Sequence, residues 1–278
     1  MPKRNMDVRN SVISLNLHLD AHCKWCVFLD RLQGKCAIVT GAGQGLGQAY
    51  AQALATEGAM VSAVDINYEG ASQVADAINR GGGKALAIHT DVSDQTSAEH
   101  MAKETFARFG KIDILVSNAA IYYGIKRTPF DEIQVEEWDR MMAVNVKGSW
   151  LCARAVFPYM KQQKSGKIVN VSSGVAFSPN AFLAHYVTSK AAVVGLTRAL
   201  AKELGQYGIT VNAVAPGFTM TGASKQLGGD ITAYVQSLSI KREQMPDDVV
   251  GTVLYLCSRE SDFLTGQTIV VDGGRIFH

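Results

Sequence analysis

The sequence is poor in the residues that staple a chain or carry it through a membrane. Cysteine occurs five times in 278 residues, an odd and scattered set at positions 23, 26, 36, 152 and 257. That set is not expected to form a disulfide framework, and it suggests a reducing cytoplasm. No run approaches the roughly 18 apolar residues of a membrane span. Lys3 and Arg4 precede Val12, Ile13, Leu15, Leu17 and Leu19, but Ser14, Asn16 and His18 break the stretch, which makes it a poor secretory signal. Charged residues are only 19% of the chain against 47% hydrophobic, which excludes a disordered protein and predicts a sizeable core. The net charge is +2, and the first 31 residues, with five basic and three acidic groups, account for all of it. The body therefore lacks the basic stripe of a nucleic-acid-binding surface, and neither nucleic acid nor membrane is expected as a partner.

What is present is alternation. Short β-branched runs at 36–40, 60–64, 85–90, 112–116, 168–171, 210–214 and 268–271 read as buried strands. Helical patterns lie between them near 46–57, 69–80, 95–109, 132–163, 183–206 and 247–258. Near-continuous apolar strands separated by helices predict an α/β fold: one domain with a doubly wound, Rossmann-like, seven-stranded parallel sheet and helices on both faces. Two segments stand outside the alternation. Residues 1–30 show no clear period and read as a flexible N-terminal extension to a domain spanning 31–278. Residues 219–245 read as a long polar, Gly-containing substrate loop.

The first strand leads into Thr40-Gly41-Ala42-Gly43-Gln44-Gly45-Leu46-Gly47 and then a helix. Missing Cβ atoms let backbone approach a pyrophosphate, and a helix N-terminus offers unpaired N–H groups and positive dipole. A simple tight turn is the alternative. Asp65 ends the second strand, eighteen residues after Gly47. A carboxylate there can accept the adenosine ribose hydroxyls and repel a 2′-phosphate, which favours NAD over NADP; it can also serve as a helix cap. Asp91-Val92 and Ser117-Asn118-Ala119-Ala120 follow the third and fourth strands, at the strand ends where open sheets bind ligands. Asp91 can accept from an adenine amino group or cap a helix starting near Ser93.

Tyr186 and Lys190, four apart on a predicted helix, share one face. A free phenol with a pKa of about 10 is a poor base at neutral pH, and a neighbouring ammonium stabilises its phenolate. The pair suits proton transfer at a substrate oxygen. Ser173, thirteen residues before Tyr186, can donate to a developing alkoxide, with Ser172 as the competing choice. Asn145 sits between Val144 and Val146 and needs partners; it either holds a water leading to Lys190 or satisfies backbone groups.

Together these motifs resemble the short-chain dehydrogenase/reductase family, over about residues 31–278. Thr40-Gly41-x-x-x-Gly45-x-Gly47 is similar to that family's cofactor loop, and Asn145, Ser173, Tyr186 and Lys190 to its catalytic set. Pro216-Gly217-Phe218-Thr219-Met220-Thr221 is similar to the segment that holds the nicotinamide carboxamide, and Thr265 through Gly274 to the C-terminal signature. Ala120 departs from the family's usual glycine. The resemblance implies hydride transfer at nicotinamide C4 with Tyr186 as acid/base, Ser173 polarising the oxygen and Lys190 also holding the nicotinamide ribose. It implies cofactor contacts from Gly41, Gln44, Gly45, Leu46, Gly47, Asp65, Asp91, Val92, Asn118, Tyr186, Lys190, Pro216, Gly217, Thr219 and Thr221. It also implies a homotetramer built on helices near 95–163 and 183–206.

The expected pocket side chains are Tyr122, Tyr123, Phe177, Phe182 and Phe218, with no obvious cation among them. An apolar, possibly aromatic, secondary alcohol or its ketone is therefore the expected substrate, provided that these rings are not core. The stretch 141–160 and the final Arg275-Ile276-Phe277-His278 are also similar to bacterial 1-phenylethanol-type alcohol dehydrogenases. A 3-oxoacyl-thioester reductase is the alternative enzyme. A catalytically dormant NAD-binding regulatory protein is the alternative of another class. No metal is expected at the catalytic site. His18, His22, Cys23 and Cys26 fall within nine residues and have the residue types of a zinc or redox site, but lack its usual setting, so a mobile extension is the simpler reading.

Overall fold

The structure, a computed structural model, describes residues 31–277 apart from 123, 223 and 225–230. The expected extension at 1–30, with Cys23 and Cys26, lies outside the described residues. Seven strands alternate with helices: β1 (Cys36–Thr40), α1 (Gly45–Thr56), β2 (Met60–Asp65), α2 (Tyr68–Arg80), β3 (Lys84–His89), α3 (Gln95–Phe109), β4 (Ile114–Ser117), α4 (Val135–Met142), α5 (Gly148–Gln163), β5 (Gly166–Val171), α6 (Ala184–Leu204), β6 (Ile209–Pro216), α7 (Ile231–Ser237), α8 (Asp247–Cys257) and β7 (Thr268–Val271). All pair in parallel in the order β3-β2-β1-β4-β5-β6-β7.

Side-chain alternation along the strands builds two cores. Ala37 and Val39 of β1 face one layer with Tyr50, Leu54, Val74, Val249, Val253 and Leu256 of α1, α2 and α8. Ile38 faces the other, with Met101, Leu115, Leu151, Val156, Met160, Ile168 and Leu204 around α3, α5 and α6. Both faces are covered, so β1 is buried at every position, and this is why its sequence is apolar from Cys36 to Val39. Truncating one such side chain, Leu115→Ala for example, should cost about 2–5 kcal/mol.

Local chemistry sets the ends. Asn67 caps α2 by accepting from Gly70 N–H at 3.3 Å, and Asp94 caps α3 by accepting from Ser97 N–H at 2.7 Å. Gly110 closes α3 at φ 73°, a conformation that disfavours a side chain. Three sequence expectations change. The helix after Asp91 keeps its expected span, 95–109, but its cap is Asp94 and not Asp91. The single helix expected over 132–163 is two, joined by a π-helical turn at Ala143–Lys147 that contains Asn145. The expected loop at 219–245 carries α7.

The strand order reverses between β1 and β4. Chain leaves these two neighbours in opposite directions, which opens a crevice at their C-terminal ends. The residues after Thr40 and after Ser117 therefore face each other across it.

Candidate active site

A cleft of about 1150 Å³ occupies this crevice and extends over β5 and β6 towards the C-terminus. Its floor begins with the glycine loop. Thr40 Oγ1 accepts from the backbone N–H of both Asn118 and Ala119 at 3.0 Å, and Asn118 Nδ2 donates to Thr40 O and Gly41 O at 3.0 and 3.1 Å. These bonds fasten the loops after β1 and β4 together. Gly41 holds φ 64°, and a Cβ there would lie 2.8 Å from Ala119 Cα. A Cβ on Gly47 would collide with the Gly41 carbonyl. Gly45, at φ 58°, would meet only Thr221 at 3.7 Å, so that side of the loop is open to the cleft. Gln44 caps α1 without a side-chain bond. The first turn of α1 thus presents its N–H groups to the cleft rather than to a cap.

Asp65 lines the cleft beside this loop, with Oδ2 accepting from Gly43 N–H and Oδ1 from Asn67 N–H, each at 2.9 Å. Asp91 and Val92 lie further along the same wall. Asp91 Oδ1 accepts from Ser93 N–H at 2.8 Å and from its hydroxyl at 2.7 Å, so Asp91 fixes the turn and lines the cleft at once. Ala120 also lines it, and its φ is not positive, so the residue there need not be glycine. Leu46, Pro216, Gly217, Thr219 and Thr221 complete the expected cofactor wall. The loop's fit to a dinucleotide rests on three features: excluded Cβ atoms, an uncapped helix start, and a carboxylate beside the loop.

Ser173, Tyr186 and Lys190 lie together on the opposite wall. Lys190 is 96% buried, and its Nζ donates to Val171 O at 2.9 Å, 5.9 Å from the Tyr186 ring centroid. Burial brings its pKa from 10.5 down to about 8, so at neutral pH the side chain is still an ammonium. The Tyr186 phenol is not depressed in the chain alone. Burial pushes it up, Tyr122 adds to the rise, and only the Ser173 hydroxyl opposes it. Desolvation thus dominates, and the lowering expected from Lys190 is not found.

The structure separates the two serines. Ser172 Oγ donates to Lys190 O at 2.8 Å and so ties β5 to α6. Ser173 remains on the cleft surface against Tyr186. Asn145 stands one step back. Its Oδ1 accepts from Ile121 N–H at 2.7 Å and its Nδ2 donates to Ser189 Oγ at 3.0 Å. Ser189 Oγ in turn donates to Tyr186 O at 2.8 Å. Of the two expected roles, the geometry shows backbone satisfaction, with the π turn aiming Asn145 at α6.

The substrate end departs most from expectation. Tyr122 stacks on Tyr186 with centroids 5.6 Å apart, and Phe218 lines the cleft. Phe177 and Phe182 do not line it. Phe177 closes a 3-10 turn over Gly174, and Phe182 points out at 54% exposure with φ 67°. Tyr123 lies outside the described residues. The expected lack of cations is wrong: Lys126, Arg127, Arg140 and Arg275 all line the cleft. Tyr234 of α7 was also missed. Its hydroxyl accepts from Phe218 N–H at 2.8 Å, pinning the Pro216-Gly217-Phe218 turn. A tyrosine inside a polar insertion carries no local signal, and the four cations are scattered over 150 positions of sequence.

Among the described residues, no helix is long and apolar enough to cross a membrane, and no group of His, Cys, Asp and Glu could hold a metal. A family model described as Enoyl-(Acyl carrier protein) reductase matches residues 41–275. An uncharacterized oxidoreductase of Mycobacterium tuberculosis is 44% identical over 244 residues, covering 87% of this chain and 97% of its own. A 3-oxoacyl-[acyl-carrier-protein] reductase of Synechocystis is 37% identical, covering 88% and 98%. The solved structure of a 7α-hydroxysteroid dehydrogenase with NADH and 7-oxo glycochenodeoxycholic acid superposes with TM-score 0.84 at 35% identity, covering 88% of this chain and 95% of that one.

Proposed function

The chain belongs to the short-chain dehydrogenase/reductase family, and from that premise we propose that it is an NAD(H)-dependent oxidoreductase interconverting a secondary alcohol and its ketone. The observation that carries this is one cleft lined by the Ser173 hydroxyl, the Tyr186 phenol and the buried Lys190 ammonium together with a glycine loop that Asp65 flanks. A nicotinamide cofactor held by the glycine loop and the Pro216–Thr221 segment would supply or accept the hydride at the substrate carbon. In reduction, Tyr186 donates its proton to the substrate oxygen, and Ser173 donates a hydrogen bond to the same oxygen as charge develops there. In oxidation, Tyr186 takes that proton back. Lys190 supplies positive charge beside the phenolate, and its tether to Val171 O keeps the charge in place. Asn145 acts on this set by positioning Ser189 and the carbonyl of Tyr186.

Asp65 supports NAD over NADP, since its carboxylate would repel a 2′-phosphate. A homotetramer completes the reading. Phe106 of α3 and Trp150 of α5 are large apolar side chains left 38% and 42% exposed on helices expected to meet a neighbouring copy. A second reading, reduction of a 3-oxoacyl thioester, is favoured by the cations on the cleft wall and by the name of the Synechocystis relative. Secondary alcohols and 3-oxoacyl thioesters, each assayed with NAD(H) and NADP(H), separate the two. Tyr186→Phe should keep NADH binding and lose turnover on either substrate; unchanged turnover would remove Tyr186 from its role.

A further inference from the structure

Arg275 is a cation of the cleft that stands outside the Tyr186–Lys190 pair and is fixed from two sides. Its backbone N–H donates to Asp272 Oδ1 at 3.1 Å, as does that of Gly274 at 3.0 Å, which fixes the turn after β7. Its guanidinium lies over the Tyr234 ring, 5.2 Å from the centroid, and the side chain is part-buried. Tyr234 is held at its other edge by Phe218, with ring centroids 5.6 Å apart and its hydroxyl bonded to Phe218 N–H. Among the described residues no carboxylate lies within 4.0 Å of the Arg275 guanidinium, nor of Lys126, Arg127 or Arg140. The acids that line the cleft are Asp65 and Asp91 on the dinucleotide wall and Asp272, one of whose oxygens already serves the turn beneath Arg275.

The rings set the direction. Tyr186 stacks on Tyr122, the Tyr122 phenol is pushed up to about 12 by burial and by the neighbouring Tyr234, and Tyr234 carries Arg275. A molecule with its reacting carbon at Tyr186 can therefore run along Tyr122 and Tyr234 and end on a guanidinium. A partly desolvated guanidinium stacked on an aromatic ring, with no carboxylate partner among the described residues, is a receptor for one.

We infer that the substrate carries a carboxylate or similar anionic group remote from the reacting carbon, separated from it by an apolar stretch, and that Arg275 receives it. This rests on the oxidoreductase reading above and names the substrate class of the same cleft. The apolar expectation is retained for the middle of the molecule, where Tyr122 and Phe218 lie, and replaced at its end.

The test is a series of methyl ketones of increasing length, 4-oxopentanoate, 7-oxooctanoate and 10-oxoundecanoate, each paired with its methyl ester and assayed with NADH. At the best length, kcat/KM for the acid should exceed that of the ester by about ten-fold or more. Arg275→Gln should bring the acid-to-ester ratio down towards one, mainly through KM of the acid, and Arg275→Lys should restore part of it. Because the ratio is read within one protein sample, loss of folded material does not disturb it. Should Arg275→Gln not fold, the wild type still decides: added salt should raise KM for the acid and not for the ester. Calorimetric binding of the same pairs needs no turnover. Acid-selective binding without turnover by either cofactor would defeat the oxidoreductase reading and leave the receptor standing. A ratio at or below one at every length, or a ratio unchanged in Arg275→Gln, would overturn the receptor, as would efficient reduction of 3-oxoacyl thioesters beside indifference to the acids.

Discussion

Replacing Lys190 with methionine should make the folded chain more stable and the enzyme inactive. The ammonium is buried against Val171 O, and its pKa falls from 10.5 to about 8. At pH 7 the folded state therefore carries this charge at a cost of about 3 kcal/mol relative to the unfolded chain. Methionine fills similar volume without charge. It loses the bond to Val171 O, worth about 1 kcal/mol, which leaves a net gain of about 2 kcal/mol at pH 7. The sign follows from proton counts. Below pH 8 both states hold the proton and the full penalty applies. Between about 8 and 10.5 the unfolded chain holds it and the folded one releases it, so wild-type stability rises with pH across that window. Urea denaturation of both proteins at fixed concentration, at pH 7 and pH 10, measures the margin. It should favour the variant at pH 7 and shrink by pH 10. A variant less stable than wild type at pH 7, or a margin that does not narrow, would refute the view that Lys190 is retained against its own desolvation.

The remaining expectations concern the same cleft. Ketone reduction needs a protonated phenol and an ammonium, so kcat/KM should be level below pH 8 and fall about ten-fold per pH unit above it, following Lys190; a profile level to pH 10 would contradict this. Ser172→Ala should cost about 1 kcal/mol of stability with turnover largely kept, whereas Ser173→Ala should cost about 100-fold in kcat with stability kept. Equal effects in a paired denaturation and kinetic measurement would show that the two serines are not separated as described. Gly47→Ala, whose Cβ meets the Gly41 carbonyl, should abolish NADH binding in a fluorescence titration, while Gly251→Ala, with open space around it in α8, should leave binding intact. Asp65→Asn removes a carboxylate charge from the cleft that would repel a 2′-phosphate and should move the NADPH-to-NADH ratio of kcat/KM up by about ten-fold or more.

The positions that announced themselves in the sequence are those where one physical demand selects one residue type. Gly41 and Gly47 stand where a Cβ has no room, and the apolar run at 36–39 stands where both sheet faces are covered. Tyr186 and Lys190 share a helix, so their spacing placed them on one face before any fold was known. The break at 143–147 was not legible, because a π turn leaves no mark in an apolar helical pattern. Nor was the division of labour between Ser172 and Ser173, which depends on which hydroxyl α6 meets.

Short-range stereochemistry thus settled the sheet, the glycine loop and the Tyr–Lys pair from the sequence itself. Only the tertiary structure brought Lys126, Arg127, Arg140 and Arg275 to one cleft, sent Phe182 outward, and set burial rather than charge as the dominant influence on Tyr186. Each of those depends on packing between segments far apart in the chain. No local pattern encodes how near two such segments come or how much water they exclude.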